Sequence, residues 1–277
     1  MKKKQIVVLV VGLVLIALLL VGIFLVPNRD NDESINEAMR DEVLHETNKI
    51  NLLGLDVNPA VVSAFTVIAV IFVFALIVRV FVIPRFTYVP SAFQSVLETA
   101  VETFDNMAKT SSPGRNKFLG AYIFTAAAYV FVGTLFELFG LQAVTTLGRS
   151  VSLPAPLADI NGAITLGCVS YLVILGGGLV SNGIKGVGRA LKDFSLPISM
   201  SFRLFGALLS GALVTELVYY YTALSFVLPV VVGVMFTLLH ALIQAYVLTM
   251  LTSLFYGEVT EKKPEKIKSN KGVAKNV

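Results

Sequence analysis

An arginine in the middle of a long apolar run is the feature that most constrains this chain. The run extends over residues 194–221, and the stretch SMSFRLFGALLSG places Arg203 roughly halfway along it. At about 1.5 Å of rise per residue, a helix of this length crosses a bilayer with the charge well inside the hydrocarbon. Burying an arginine there costs at least about 2.5 kcal/mol. The sequence therefore predicts a membrane-spanning helix whose arginine serves an ion pathway or meets a buried partner.

Small side chains follow this arginine at helical spacing. Those on the same broad side of the predicted helix as the arginine are Gly206, Ala207, Ser210 and Gly211. Small residues let a second backbone approach closely inside a membrane. We therefore expect a partner to pack against this face of the helix.

The composition extends this prediction to the whole fold. Hydrophobic residues make up 56% of the sequence and charged residues only 14%, which indicates an all-α, polytopic membrane protein. The basic residues cluster beside apolar runs, so a nucleic-acid partner is not expected. The single Cys168 lies inside an apolar run, which gives neither a disulfide framework nor a thiolate metal site. No cofactor and no metal are expected.

The two ends of the chain differ from its apolar centre. Residues 1–26 join a basic start to about twenty apolar residues, which fits either a retained transmembrane helix or a cleaved signal peptide. Residues 27–58 carry eight acidic and three basic side chains, which is typical of an external segment. Residues 59–258 form the predicted membrane domain, and residues 259–277 form a lysine-rich cytoplasmic tail.

Five core spans are predicted in the membrane domain, in addition to the optional N-terminal helix. They cover residues 59–83, 118–144 with Glu137 near the far end, from Asp159 to about Ser181, 194–221 and 224 to about 256. The last two are expected to form a long antiparallel hairpin that turns near Ala223. The basic loops and the lysine-rich tail fall on one side in this arrangement, which predicts a cytoplasmic C-terminus.

One further helix is predicted between the first two core spans. In residues 91–110 the apolar side chains recur at three- and four-residue spacing, whereas Glu98, Glu102 and Asp105 take another face. The segment is too amphipathic to span, so we interpret it as a helix lying along the membrane surface. A soluble connector packed on protein is the alternative.

Polar side chains inside the last two spans are candidates for an ion pathway. Arg203 and Gln244 lie about twenty residues on either side of the predicted turn, so they reach similar depth, and an amide oxygen can accept a hydrogen bond from a guanidinium. His240 precedes Gln244 by four residues and shares its helix face. Glu216 projects at roughly 140° from Arg203 around an ideal helix, so we assign it to a separate aqueous cavity nearer the outside.

Asp159 and Asn161 lie where the third core span begins. Asp159 fits a helix N-cap, because its side chain can accept from the first free backbone N–H groups. It also fits a role in ion entry. The two roles are compatible, and both stay open at this point.

Four motifs in register resemble the subunit a family of F-type ATP synthases. FRLFGALLSG is similar to the arginine signature of that family, and ALIQAYVLTMLTSLF is similar to its final-helix glutamine motif. VPSAFQSVLETAVE resembles the surface helix of the family, and LADIN resembles its TADLN segment. The resemblance covers roughly residues 51–261, in the order of the family.

The resemblance implies a non-catalytic stator subunit that forms two offset half-channels, for protons or in some members for sodium ions, against a rotating ring of c subunits. Arg203 would face the ring carboxylate with Gln244 beside it, and the small residues after the arginine would face the ring. Asp159 and Asn161 match polar positions toward the outer half-channel. The implied surroundings are a bacterial inner membrane and its lipid, the c ring, b-type peripheral stalk subunits and the other ATP synthase subunits.

Three positions depart from the family pattern. Ala207 replaces the usual asparagine four residues after the arginine, Ala212 replaces the acid or histidine nine residues after it, and Thr237 stands seven residues before the glutamine, where some bacteria have histidine. We therefore hypothesise that Glu216 and His240 supply displaced polar groups for the entry path.

Two other function classes are compatible with a charge at mid-membrane depth. A secondary transporter could bind an anionic substrate with Arg203, and a structural scaffold could pair this arginine with a carboxylate of a neighbouring subunit. The sequence offers no convincing internal repeat, nucleophile, metal cluster or phosphate-binding loop. We therefore favour the ion-channel stator over both alternatives and over an enzyme acting alone.

Overall fold

A computed structural model describes residues 49–52, 54–144, 146, 150–220 and 228–261, together with the single positions 10, 14, 17 and 21. Four expectations therefore fall largely outside the described residues. They concern the N-terminal helix or signal peptide, residues 27–48 of the acidic segment, the turn near Ala223 and residues 262–277 of the tail.

The described part of the chain is mainly helical. Its helices are α1 (Pro59–Ile77), α2 (Ala92–Ser111), α3 (Asn116–Phe136), α4 (Ile160–Asn182), α5 (Ile184–Ala190), α6 (Ser195–Tyr220) and α7 (Leu228–Thr260). Its strands are β1 (Ile50–Leu52), β2 (Leu55–Val57), β3 (Gln142–Val144) and β4 (Ser150–Ser152). Five of the helices, α1, α3, α4, α6 and α7, are long and apolar enough to cross a membrane. The predicted all-α, polytopic fold with five core spans is confirmed.

Capping side chains explain where several helices begin. Asn58 caps α1 just before Pro59, Ser91 caps α2, and Asp159 caps α4. Each side chain accepts from a backbone N–H that would otherwise lack a partner. α1 continues as a π turn, Val78–Val82, and a short 3-10 turn, Ile83–Arg85. The proline in that last turn lacks an N–H and ends the helical ladder.

Two small antiparallel hairpins, β1 with β2 and β3 with β4, lie at the end of the bundle where α1 and α4 begin. We call this the hairpin end. The sequence prediction of a helix through Val144 was wrong, because α3 stops at Phe136 and is followed by one 3-10 turn. Gly140 then adopts a φ of 56°, a left-handed conformation that favours glycine, and the chain reverses into β3.

α2 is the predicted amphipathic helix, now bounded at residues 92–111. Phe93, Val96 and Val101 expose their apolar side chains, whereas Phe104 and Met107 pack against the core. Gln94 is buried and bonds its side chain to both backbone groups of Thr87. The helix thus packs on protein and still offers apolar side chains outward. Its position on the membrane surface stays a prediction.

The core lies where α7 packs between α3 and α4, with α4 also packed on α6. Its largest fully buried apolar side chains include Leu119 and Ile123 of α3, Ile174 of α4 and Leu204 of α6. Since lipid does not drive apolar helices together, close packing and interhelical hydrogen bonds must hold these helices. α1 packs on α3 with a smaller cluster that includes Val67 and Phe136.

Hydrogen bonds fix the last two turns of α7 at the opposite end of the bundle. We call this the basic end, because Arg115, Lys185 and Arg189 lie in its loops and short helix. The bonds are Ser253 Oγ with Ser111 Oγ at 2.8 Å, Ser112 Oγ with Thr260 Oγ1 at 2.9 Å, Asn182 Nδ2 to Val259 O at 2.7 Å and Arg189 Nη1 to Glu261 O at 2.8 Å. They join α2, α4 and α5 to the end of α7.

Replacing Gly178 of α4 with leucine should reduce the amount of folded chain in the membrane. A Cβ at this position would lie 3.0 Å from the carbonyl carbon and oxygen of Gly186 and 3.4 Å from the Cβ of Val259. Gly176→Leu is the matched control, because a Cβ there meets nothing within 4 Å. Quantitative immunoblotting of membranes measures both variants, and equal amounts of the two would contradict this packing.

Candidate functional site

Arg203 lies on an exposed face of α6, although the preceding and following turns of the helix are anchored in the core. Met200 and Leu204 are almost fully buried, which fixes the rotation of the helix, whereas Arg203 at the edge of this buried face stays exposed. Among the described residues, its guanidinium has no hydrogen-bond or ion-pair partner. The described part of the chain therefore leaves this positive charge uncompensated.

Gln244 of α7 lines the same small cavity as Arg203, as expected from their equal distance to the helix turn. The cavity measures about 10 Å³, and its remaining lining consists of Met200, Leu204, Val247, Leu248 and Leu251. Gln244 is only 5% exposed, and its buried Oε1 atom has no hydrogen-bond partner among the residues that the structure describes. The structure thus brings the two polar residues together without a bond between them.

The small residues after Arg203 divide between exposed and half-buried positions. Gly206 and Ser210 are exposed, and a Cβ on Gly206 would meet nothing within 4 Å. Ala207 and Gly211 are half-buried. Ser210 Oγ donates to Ala207 O at 2.8 Å, so its hydroxyl is satisfied within the helix. The exposed strip beside the arginine is therefore small and weakly polar.

His240 approaches the same helix closer to the hairpin end. Its Nδ1 atom would lie 3.9 Å from a Cβ placed on Gly211, and its ring packs at a tilt against Phe236 with centroids 5.8 Å apart. Thr237, one turn earlier on α7, is half-buried. Glu216 belongs to α6, but its side chain lies outside the described part of the structure.

Asp159 and Asn161 lie at the hairpin end, where α4 begins. Asp159 Oδ1 accepts from the backbone N–H of Asn161 at 2.6 Å, which confirms the N-cap. Its Oδ2 accepts from Asn58 Nδ2 at 2.5 Å, a contact that the sequence reasoning missed because the residues are 101 positions apart. Among the described residues, no hydrogen bond or ion pair links Asp159 to Arg203 or Gln244. The role of Asp159 in ion entry stays a prediction.

A larger cavity of about 980 Å³ opens at the basic end. Its lining consists of residues 110–115 in the α2–α3 connection, Ser181, Leu254, Gly257, Glu258, Thr260 and Glu261. Hydroxyl groups, Arg115 and the two glutamates make this lining polar. Leu254 lies three residues after Leu251 of the small cavity, so about one turn of α7 separates the two. In the sequence, the run Ser111–Ser112 before Pro113 and Gly114 indicates a polar loop at this opening.

Within the described residues, no group of three or more histidine, cysteine, aspartate or glutamate side chains could hold a metal ion.

Comparison with known proteins relates this geometry to one family. Residues 61–257 match the family described as ATP synthase A chain. ATP synthase subunit a of Cereibacter sphaeroides is 28% identical over 183 residues, covering 62% of this chain and 70% of the relative. ATP synthase subunit a 2 of Vibrio campbellii is 24% identical over 201 residues, covering 63% and 78%. The chloroplastic ATP synthase subunit a of Bigelowiella natans is 28% identical over 188 residues, covering 61% and 73%.

Replacing Gln244 with leucine should leave the stability of the folded chain within about 1 kcal/mol of its original value, because the buried Oε1 that is removed bonds to none of the described residues. Ser170→Ala is the control that breaks a bond, since Ser170 Oγ lies 2.8 Å from Tyr122 OH; it should cost about 1 kcal/mol. Thermal unfolding in detergent compares the two. Greater destabilisation by Gln244→Leu would mean that its amide has a partner after all.

Proposed function

The chain belongs to the ATP synthase A chain family, and on this basis we propose that it forms two offset half-channels that carry protons to and from a rotating ring of c subunits. Family membership makes it a multi-pass membrane protein that works as subunit a in the membrane sector of the ATP synthase, with other subunits of that enzyme as its partners. Membership of this family favours the stator over the two alternatives, a secondary transporter and a structural scaffold.

The observation that carries the proposal is the guanidinium on the exposed face of α6, which no residue in the described part of the chain pairs. Arginine stays protonated under essentially all conditions, so it attracts an ionised carboxylate but cannot relay a proton itself. A carboxylate held within the chain would already have neutralised Arg203, whereas the described residues supply none. This charge is thus available to a carboxylate that arrives on the ring and departs again, and it blocks a direct leak between the half-channels.

The charge of Arg203 also explains how proton flow would be coupled to rotation of the ring. A ring carboxylate opposite Arg203 is favoured in its ionised form, but a carboxylate that moves into lipid is favoured neutral and must first take up a proton. A membrane potential supplies about 2.3 kcal/mol per charge per 100 mV. Because protons enter and leave through different half-channels, this energy is released only when the ring turns.

We assign the outer half-channel to the hairpin side of Arg203. His240 supports this, because it faces Gly211, which lies eight residues or about 12 Å further along α6 than the arginine. An imidazole can both donate and accept a proton. Glu216 on α6, with Asp159 and Asn161 at the start of α4, completes the polar groups assigned to this side. His240 and Glu216 would thereby replace the polar groups missing at Ala212 and Thr237.

We assign the inner half-channel to the large cavity at the basic end. Its hydroxyl groups and its two glutamates can solvate a proton path, and only about one turn of α7 separates it from the cavity shared by Arg203 and Gln244. Basic loops favour the cytoplasmic side of a membrane, so this end and the C-terminus are assigned to the cytoplasm of a bacterial cell.

The proposed partners follow from the exposed surfaces. The face with Arg203, Gly206 and Ser210 is assigned to the c ring, since small residues allow close approach. Exposed apolar side chains along α1 are available to lipid and to b-type peripheral stalk subunits. The chain itself is proposed to be non-catalytic, with ATP chemistry carried out by other subunits of the enzyme.

Replacing Arg203 with alanine should abolish ATP-driven proton pumping, because nothing would then hold the ring carboxylate ionised between the half-channels. Fluorescence quenching of a pH-sensitive dye in inverted membrane vesicles measures pumping, and ATP hydrolysis by the detached headpiece should be unchanged. Arg79→Ala is the matched control, since Arg79 is an exposed arginine in a different span, α1 with its π turn. Substantial coupled pumping by the Arg203 variant would count against the assignment.

Replacing Glu216 with glutamine should slow pumping if this carboxyl lies on the outer half-channel, because the amide cannot exchange a proton. The same dye assay measures the rate, normalised to the amount of assembled complex. Glu98→Gln on α2 is a matched control, since Glu98 is an exposed carboxylate far from α6 in sequence and in a different helix. An unchanged rate in the Glu216 variant would remove this residue from the path.

A further inference from the structure

A single hydrogen bond joins the caps of two membrane spans at the hairpin end. Asn58 Oδ1 accepts from the backbone N–H of Ala60 at 3.0 Å and so caps α1. Asp159 Oδ1 accepts from the backbone N–H of Asn161 at 2.6 Å and so caps α4. The remaining groups of the two side chains then meet, because Asn58 Nδ2 donates to Asp159 Oδ2 at 2.5 Å. We call this arrangement the double cap.

The double cap depends on which of the two residues carries the amide. An amide can accept with its oxygen and donate with its nitrogen, whereas an ionised carboxylate only accepts. Asn58 therefore caps α1 and still has a donor for Asp159, which uses one oxygen for each helix. Two carboxylates would face each other with acceptors, and two amides would oppose donor to donor while capping. Only one amide with one carboxylate satisfies all three bonds.

The double cap also fixes the position of a turn that contacts several helices near the proposed outer half-channel. Directly before Asp159, the turn Pro156–Ala158 packs against α1, α3 and α6. This turn is closely packed, since a Cβ on Gly162 would lie 2.5 Å from Pro156 O and a Cβ on Gly133 would lie 3.5 Å from Pro156 Cδ. Holding Asp159 to α1 therefore also holds the turn that contacts α6, the helix that carries Arg203.

We propose that Asn58 is a positioning residue for proton translocation and that Asp159 serves as its fixed acceptor rather than as a proton carrier. The proposal rests on the proposed function of the chain. Both carboxylate oxygens of Asp159 are engaged by donors. A proton on either oxygen would weaken the hydrogen bond that this oxygen accepts, because a neutral carboxyl group is a weaker acceptor than an ionised one.

Exchanging the two residues tests this proposal. In the double variant Asn58→Asp with Asp159→Asn, the carboxylate caps α1 and the amide caps α4, and the bond between them forms in the reverse direction. The single variants Asn58→Asp and Asp159→Asn each lose that bond. We expect each single variant to lower the pumping rate by about threefold to tenfold and the exchanged pair to return it to within about twofold of the original, as coupled neighbours do.

Pumping is measured in inverted vesicles of the complete enzyme and divided by the amount of this chain in assembled complexes, so that poor assembly of a variant is not read as slow transport. Ser91→Ala is the control for loss of a helix cap elsewhere, since Ser91 caps α2 by accepting from Gln94 at 3.3 Å. It should leave the normalised rate unchanged.

Two results would overturn the proposal. If the exchanged pair pumps as poorly as Asp159→Asn, the carboxylate is needed at position 159 itself and acts as a carrier. If Asn58→Asp pumps at the original rate, the bond positions nothing that transport requires. Either result leaves the stator assignment standing as long as Arg203→Ala still abolishes pumping, so the two failures are distinguishable.

Discussion

A permanent positive charge inside an apolar span must be compensated, and the described part of this chain does not compensate it. Arg203 has no hydrogen-bond or ion-pair partner there, and the buried oxygen of Gln244 across the small cavity is unbonded as well. The cost of at least about 2.5 kcal/mol for such a charge is therefore left for a partner to offset. A carboxylate that binds and then leaves can do this, whereas a carboxylate of the same chain would pair with Arg203 permanently and prevent successive ring carboxylates from binding.

Repeated binding of ring carboxylates to Arg203 requires that α7, which packs against α6, is held rigidly. The contacts at the basic end hold it. The last two turns of α7 are bonded to α2 through Ser253 and Ser111 and to α4 through Val259 and Asn182. Gly178 brings the backbone of α4 close to α5. Such contacts have few alternative arrangements, because close-packed interiors do not deform continuously. Motion between stator and rotor must then occur at their interface rather than within this bundle.

The sequence predicted those features that depend on local pattern and failed for those that depend on tertiary contact. Apolar runs gave the five spans, and the residues LADIN gave the cap at Asp159, because each is determined within one or two helical turns. The strands of three residues are too short for an alternating pattern, and residues 141–144, which are apolar except for Gln142, look like a continuing span although Gly140 turns the chain before them. The bond from Asn58 to Asp159 and the cavity at the basic end join distant segments, which a single sequence does not relate.

The surface beside Arg203 also explains how a partner could be held without being locked. Gly206 offers open space, and the hydroxyl of Ser210 is already bonded to Ala207 O within α6, so neither presents a free donor to a neighbour. Hydrogen bonds are directional and would favour one rotor position over others. Coulomb attraction by a guanidinium acts over several ångströms and repeats for each arriving carboxylate. A surface with one strong charge and otherwise satisfied, small side chains therefore suits a partner that must bind at every step and move on.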